Sequence, residues 1–304
     1  MDHVLHNGYP ISKLTLGTVQ LGIPYGINNT HGMPDYRGAC DILSTAHRLG
    51  VRSFDTAGSY GKSEETLGRF FAENPVEKTI ITKLELDEGT TDLEKAVLAR
   101  IQRSCDRLQL QKLPILMLHT EKYVLEYGKP LLFALKKAKN EGLIGGIGLS
   151  FSDKSDLIPY LADGDFDCIQ IPANMFDNKE IKNGTLATLE KEGIAVFARS
   201  VYLQGLFFKD PDTLPEKIRS AKPVLQALQA LAAEQGIGMA QLAMSYMKNA
   251  TGITSLVLGC DTPSQLEESV SLLDAPALSA TLCDRIHALS EQIAPSVIRP
   301  WEWH

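Results

Sequence analysis

Eight short apolar runs recur along the chain, and each is followed by a segment whose apolar residues return at helical spacing. The runs are LTLGT from Leu14, VRSFD from Val51, TIITK from Thr79, ILMLH from Ile115, IGGIGLS from Ile144, CIQIP from Cys168, AVFARS from Ala195 and SLVLG from Ser255. Their length and their β-branched content predict buried strands. Between them, DLEKAVLARIQRSCDRL, PLLFALKKAKNEG, KPVLQALQALAAEQG and PSQLEESVSLL read as helices, several starting near Asp, Pro or Ser and two closing on Gly. The pattern is that of repeated βα units, an α/β chain, and the informative count is eight. Ahead of the first unit, VLHNGYPI sets Asn7-Gly8 between apolar residues, a two-residue hairpin signal that predicts a plug under a barrel. After the last comes one more helix, LSATLCDRIHALSEQIA, and a tail with Trp301 and Trp303, rings that more often pack than meet a substrate.

No Pro/Gly/Ser linker or composition break divides the 304 residues, so the chain reads as a single domain over 1–304. With 44% hydrophobic and 22% charged residues it has enough apolar mass to bury a large core. A net charge of -7, without a basic stripe, argues against nucleic acid and against a polybasic membrane contact. The five cysteines form no C-x-x-C pair, which points to a reducing compartment, and no metal site is expected. No apolar run reaches about 18 residues, and the opening MDHVLHNGYP lacks the features of a signal peptide, so a cytoplasmic location is expected.

The stretch FDTAGSYGKSEETLG puts Asp55 at the end of an apolar run and Tyr60 in the turn behind it, before a helix start read as Ser63 capping Glu64 and Glu65. Lys83 and His119 end the next two runs. Singly each has a plain reading: a turn carboxylate, a loop ring, a solvated amine, a satisfied histidine. Together they make chemical sense. A phenol of ordinary pKa about 10 is a poor acid at neutral pH, and a nearby ammonium favours its phenolate. Lys83 can supply that charge, Asp55 can hold the lysine protonated, and His119 can orient a carbonyl oxygen. Strand C-terminal ends are where chemistry sits if the fold is a parallel barrel.

In order, spacing and strand context these four residues resemble the Asp-Tyr-Lys-His tetrad of the aldo-keto reductase superfamily, and the resemblance runs through nearly the whole chain. It implies a (β/α)8 TIM barrel that binds an extended nicotinamide cofactor. The resemblance further implies that hydride passes to an aldehyde or ketone carbon, a sugar derivative among the candidates, while the tyrosine protonates the oxygen. Ser150 and Gln170 match residues that hold the carboxamide, although Phe151 stands where an Asn often follows. Asn174 resembles a family Asn and reads equally as a buried structural amide. Arg199 replaces an aromatic ring on the nicotinamide face, either stacking there or meeting an anionic substrate group. The segment Ser200 to Leu206, with Leu203, Gln204 and Gly205, matches the loop around the pyrophosphate.

VLGCDTPSQLEES matches the adenosine-phosphate turn through Gly259, Cys260, Asp261, Gln265 and Glu268. The family favours NADP(H) and usually places cations there; this segment has none, and Asp261 suits a free ribose hydroxyl, so NAD(H) use is expected too. The long connection after the first strand, with Tyr25, Asn28 and His31, is a candidate substrate lid. TEKYVLEYG after the fourth strand reads as a short connection, and no long insertion is expected after the seventh, which suggests an open mouth. Two rival readings are a cofactor-sensing regulatory subunit and a lyase using Lys83 as a Schiff-base amine.

Overall fold

Within a strand, alternate side chains point to opposite faces, and here that alternation decides which residues meet inside the barrel. The computed structural model describes residues 1–26, 29, 32–152, 157–161 and 166–303. The hairpin strands are β1 (His3–His6) and β2 (Tyr9–Ser12), and the eight apolar runs form β3 (Leu14–Gly17), β4 (Ser53–Asp55), β5 (Thr79–Leu84), β6 (Leu113–Leu118), β7 (Ile144–Ser150), β8 (Cys168–Pro172), β9 (Ala195–Arg199) and β10 (Ser255–Gly259). Strands β3 to β10 pair in parallel with their neighbours, and β10 closes on β3. The helices are α1 (Tyr36–Arg48), α2 (Ser63–Glu73), α3 (Leu93–Leu108), α4 (Lys122–Asn140), α5 (Ile158–Leu161), α6 (Lys179–Lys182), α7 (Thr185–Lys191), α8 (Lys222–Glu234), α9 (Met239–Lys248), α10 (Pro263–Ser271) and α11 (Ala280–Ser290).

One set of strand side chains, including Leu16, Phe54, Ile80, Leu116, Leu149 and Ile171, joins the buried cluster that contains the helices' apolar faces. The other set faces the barrel axis, where Ile81, Ile115, Met117, Cys168, Ala195, Phe197 and Val257 form a second cluster with Ile11 of the hairpin. Asn7 and Gly8 turn that hairpin with φ of 51° and 81°, as a type I′ turn requires. Its second strand seals the barrel floor: the Thr79 hydroxyl donates to the Pro10 carbonyl at 2.8 Å. Beside it, Thr15 Oγ1 bonds Ser53 Oγ at 2.7 Å and Ser255 Oγ at 2.6 Å, so three adjacent strands share a buried hydroxyl layer. Each of these hydroxyls is shielded from water, and its partners offset the cost of burial.

Three local expectations need correction. Ser63 is the first residue of α2 and does not cap it; Lys62 holds the cap position without a side-chain bond. The Ser63 hydroxyl instead donates to the Thr18 carbonyl at 2.9 Å and accepts from Thr56 Oγ1 at 2.9 Å, because burial between two strand exits offers it those partners. TEKYVLEYG is largely helical: α4 starts at Lys122 and runs on past a break at Gly128. Finally, residues 200–221 follow β9 as a long connection of 3-10 turns, anchored by Leu206, Phe207 and Ile218. It lacks helical periodicity, so the sequence pattern passes over it.

The connection after β3 packs directly against the loop that carries Tyr60. At Gly22 an added Cβ would stand 1.7 Å from the Tyr60 carbonyl oxygen and 2.7 Å from the Ser63 amide nitrogen. Both obstacles are backbone. Gly22→Ala is therefore expected to destabilise the protein by about 1–3 kcal/mol in urea unfolding, the usual cost of overpacking. A variant as stable as its parent would mean that the two connections are not in contact.

Candidate active site

The pleat that sends Ile81 and Met117 to the barrel axis also sends the last residue of the same parity there. Asp55 ends β4, Lys83 lies one residue from the end of β5, and His119 directly follows β6. Lys83 Nζ donates to Asp55 Oδ1 at 2.6 Å and to the Thr56 carbonyl at 2.9 Å, with both charged side chains almost wholly buried. Gln170 Nε2 donates to the same Asp55 oxygen at 2.8 Å. Tyr60 comes in from the β4–α2 connection, its ring centroid 5.0 Å from Lys83 Nζ and 6.0 Å from the His119 ring, which it meets edge-on.

Burial works against the Lys83 ammonium, but the Asp55 carboxylate and the Tyr60 oxygen outweigh it and hold the lysine above its ordinary range. Tyr60 is also raised. Burial is the largest influence on it, and Lys83 pulls it down by less than burial pushes it up. The sequence argument has the ammonium lowering the phenol; it does, but the net direction is upward. The phenol is thus protonated at neutral pH.

Glu85 is a site residue that the sequence reading misses. Its Oε1 lies 2.5 Å from His119 Nδ1. Burial raises the carboxyl, while hydrogen bonds from His119 and Ser59 lower it further, so it stays ionised. The signal was available: Glu85 shares pleat parity with Lys83, two residues on. Behind the Tyr60 loop, the buried Glu64 accepts from Thr82 Oγ1 at 2.7 Å and from Arg107 at 3.3 Å, and Arg107 also donates to the Gly58 carbonyl.

From these residues a cavity of about 660 Å³ extends across the barrel mouth to the β10–α10 turn. Asp55, Tyr60 and His119 line one end, whereas Lys83 lies behind the wall. Ser150 and Gln170, paired across β7 and β8, line the middle. Gln170 gives one amide hydrogen to Asp55, which leaves its carbonyl oxygen and second N–H as what it can offer a carboxamide. Arg199 donates to the Phe151 carbonyl at 3.0 Å and to Ser200 Oγ at 3.2 Å, which pins its guanidinium to the wall.

Ser200, Gln204 and Gly205 follow along the wall, and Gly259, Asp261, Gln265 and Glu268 close the far end. Two expected contacts differ: the side chains of Leu203 and Cys260 are buried in the helix-side core and are not part of the cavity wall. Parity explains Cys260, and a left-handed turn with positive φ at Ser200, Leu203, Gln204 and Gly205 swings Leu203 inward. Three of these are not glycine, a strain of the kind that gathers at ligand sites. Asn174 is the buried structural amide, its Oδ1 accepting from the Phe176 and Asp177 amides and its Nδ2 donating to the Ser200 carbonyl. Tyr25 lines the cavity and accepts from Gln204 Nε2 at 3.0 Å, while Asn28 and His31 lie outside the described residues. Trp303 is buried, its indole donating to the Ser296 carbonyl, and Trp301 is exposed; neither reaches the cavity.

The wall also carries polar groups at its far end. Gln20, on the wall against Gly259, has a buried Oε1 with no hydrogen-bond partner among the described residues. Asp261 Oδ1 accepts from Asn29 Nδ2 at 3.2 Å, and its amide donates to Gln265 Oε1 at 2.7 Å. Tyr202, within the Ser200 to Leu206 segment but not singled out from sequence, lines this end, with burial pushing its phenol up to about 12. Among the described residues no group of three or more His, Cys, Asp or Glu is placed to hold a metal, and no helix is long and apolar enough to cross a membrane.

Comparison with known proteins agrees with this architecture. Residues 13–291 match the model of the aldo/keto reductase family. The chain is 26% identical to an L-glyceraldehyde 3-phosphate reductase of Escherichia coli O157:H7, over 96% of this chain and 93% of that protein. It is also 26% identical to an NADH-specific methylglyoxal reductase of Escherichia coli K12, over 95% and 96%. Among solved structures, an aldo-keto reductase from Bacillus halodurans in its holo form superposes with a TM-score of 0.77 at 19% identity, covering 98% of this chain and 99% of that one. Fold, tetrad and family match converge: the chain belongs to the aldo/keto reductase family, enzymes that reduce an aldehyde or ketone with a nicotinamide cofactor.

Proposed function

We propose that Tyr60 is the proton donor of this reductase and that the cavity takes a small, hydroxylated, sugar-derived carbonyl beside the cofactor. The observation that carries this reading is the Tyr60 phenol on the cavity wall, its ring 5.0 Å from Lys83 Nζ and backed by the buried Lys83–Asp55 pair. The carbonyl oxygen accepts from Tyr60 Oη and from His119. The bound nicotinamide supplies the hydride. As the carbonyl carbon receives it, the Tyr60 proton moves to the oxygen, and the Lys83 ammonium offsets the phenolate charge left behind. The names of the E. coli relatives, reductases of glyceraldehyde 3-phosphate and methylglyoxal, support a short oxygenated substrate.

Ser150 and the Gln170 carbonyl suit the carboxamide, Ser200 to Gly205 the pyrophosphate, and Asp261, Gln265 and Glu268 the adenosine. Arg199, anchored through both terminal nitrogens, suits a fixed stacking plane better than a mobile anion-binding arm. A Schiff-base lyase needs a neutral amine, which the charged and enclosed Lys83 does not offer, and a regulatory subunit would have no need of the assembled tetrad. We take residues 1–304 as one barrel unit. Five free cysteines support a cytoplasmic location.

Tyr60→Phe should lower turnover with an active carbonyl substrate by roughly 100-fold or more, in line with general acid catalysis, while cofactor binding stays near normal. Full activity in that variant would remove Tyr60 from the role. The reaction needs the protonated phenol, so the Tyr60-linked limb of the pH profile should lie above neutral pH and should fall as pH climbs past the raised Tyr60 value. Lys83→Met removes the charge that pulls the phenol down and should move that decline to still higher pH. It also leaves a buried carboxylate without its counter-ion, at about 3–5 kcal/mol in denaturant unfolding. An unshifted pH profile in a folded variant would separate Lys83 from Tyr60.

Cofactor choice follows from the β10–α10 turn, where the sequence offers Asp261 and no cation to a 2′-phosphate. The NADH and NADPH dissociation constants should lie within roughly tenfold of each other, about 1.4 kcal/mol, and Asp261→Arg should favour NADPH. Fluorescence titration with both cofactors checks this; a preference of the unaltered protein for NADPH above about a hundredfold would mean that another cation meets the phosphate.

A further inference from the structure

Glu85 joins the two sides of the reaction centre. Its carboxylate lies 2.5 Å from His119 Nδ1 and also takes a hydrogen bond from Ser59, the residue before Tyr60. Arg100 of α3 adds a positive charge near Glu85 while donating to Asp87. An ionised carboxylate only accepts, so in this pair the proton resides on Nδ1. Nε2 is then the ring nitrogen left for the cavity that His119 lines. A neutral ring held this way has a bare Nε2 and accepts hydrogen bonds; only the doubly protonated ring donates from Nε2.

We propose that Glu85 is a positioning residue of the reductase reaction. It holds His119 through Nδ1–H, so that the ring meets a carbonyl oxygen as an Nε2 donor only in its imidazolium form and meets the alcohol hydroxyl as an Nε2 acceptor in its neutral form. No proton leaves the ring during reduction, since Tyr60 delivers it; the inference rests on that assignment and on His119 facing the carbonyl. Glu85 thereby sets the charge state in which the site is complementary to substrate, a task for which the sequence position alone gives it no label.

The test is long-range ¹H–¹⁵N NMR of the full chain carrying ¹⁵N-histidine, with the His119 ring identified by its loss in His119→Asn. In the unaltered protein Nδ1 should remain protonated throughout a pH titration, with protonation changing only at Nε2. A neutral His119 ring protonated at Nε2 with a bare Nδ1 overturns the proposal, without recourse to any Glu85 variant. In Glu85→Ala the neutral ring should show protonated Nε2, a donor that needs no added proton, so kcat for carbonyl reduction should vary less with pH across the His119 protonation change than in the unaltered protein, with KM changed less than about threefold. An unchanged tautomer in that variant overturns the proposal whatever its kcat. The two readings fail separately: a fully active Tyr60→Phe sinks the proton-donor assignment, whereas a slow Tyr60→Phe beside an unaltered His119 tautomer in Glu85→Ala sinks only the role of Glu85.

Discussion

A lysine and an aspartate almost without solvent contact remain in the interior only because each answers the other at 2.6 Å. Desolvating two such charges costs several kcal/mol apiece, and the Coulomb gain repays this only with good geometry and further hydrogen bonds. Those bonds are present: the Thr56 carbonyl accepts from the lysine, and Gln170 donates to the aspartate. The pair thus ties β4, β5 and β8 together at one end of the barrel. It also keeps a fixed positive charge behind Tyr60, which gives the barrel mouth a chemistry that the apolar middle lacks.

The barrel is layered along its axis. Buried hydroxyls from Thr15, Ser53 and Ser255 fill one side of the floor above the hairpin, isoleucine, methionine and phenylalanine fill the middle, and ionisable and amide groups form the top. The apolar middle provides rigid seats for strand ends, so a side chain one residue past a strand inherits the strand's direction. His119 and Glu85 both benefit from this, although neither lies within a strand. The Tyr60 loop has no such support and is held by other means: the Ser63 hydroxyl, the Arg107–Glu64 pair and close contact with Gly22.

Across the mouth, precision comes from turns. The segment after β9 accepts left-handed backbone at three residues other than glycine, a cost borne by the packing of Leu203 and Leu206 beneath it. Asn174 stitches the same turn to the β8 exit, so the strain is fixed in place. At the far end, the Asp261 amide donates to Gln265 Oε1, which fixes the rim of the cavity there.

Much of this was legible in the chain itself. Eight apolar runs specified eight strands, Asn7-Gly8 the hairpin turn, and the placement of Asp55, Tyr60, Lys83 and His119 the cluster these residues form at the barrel mouth, because strand alternation and turn chemistry are local properties. What escaped was whatever depends on partners distant in sequence. The Ser63 hydroxyl abandoned its helix because two strand exits lay closer, and Leu203 and Cys260 turned into the core while their neighbours line the cavity. The net rise of Tyr60 reflects burial that only closure of the barrel creates, and Glu85 meets His119 only because β5 and β6 lie side by side in register. The sequence determined which elements form and which residues stand at their ends; the tertiary structure decided which of those residues are dry, which are paired and which carry charge, since dielectric and hydrogen-bond partners are set by neighbours in space.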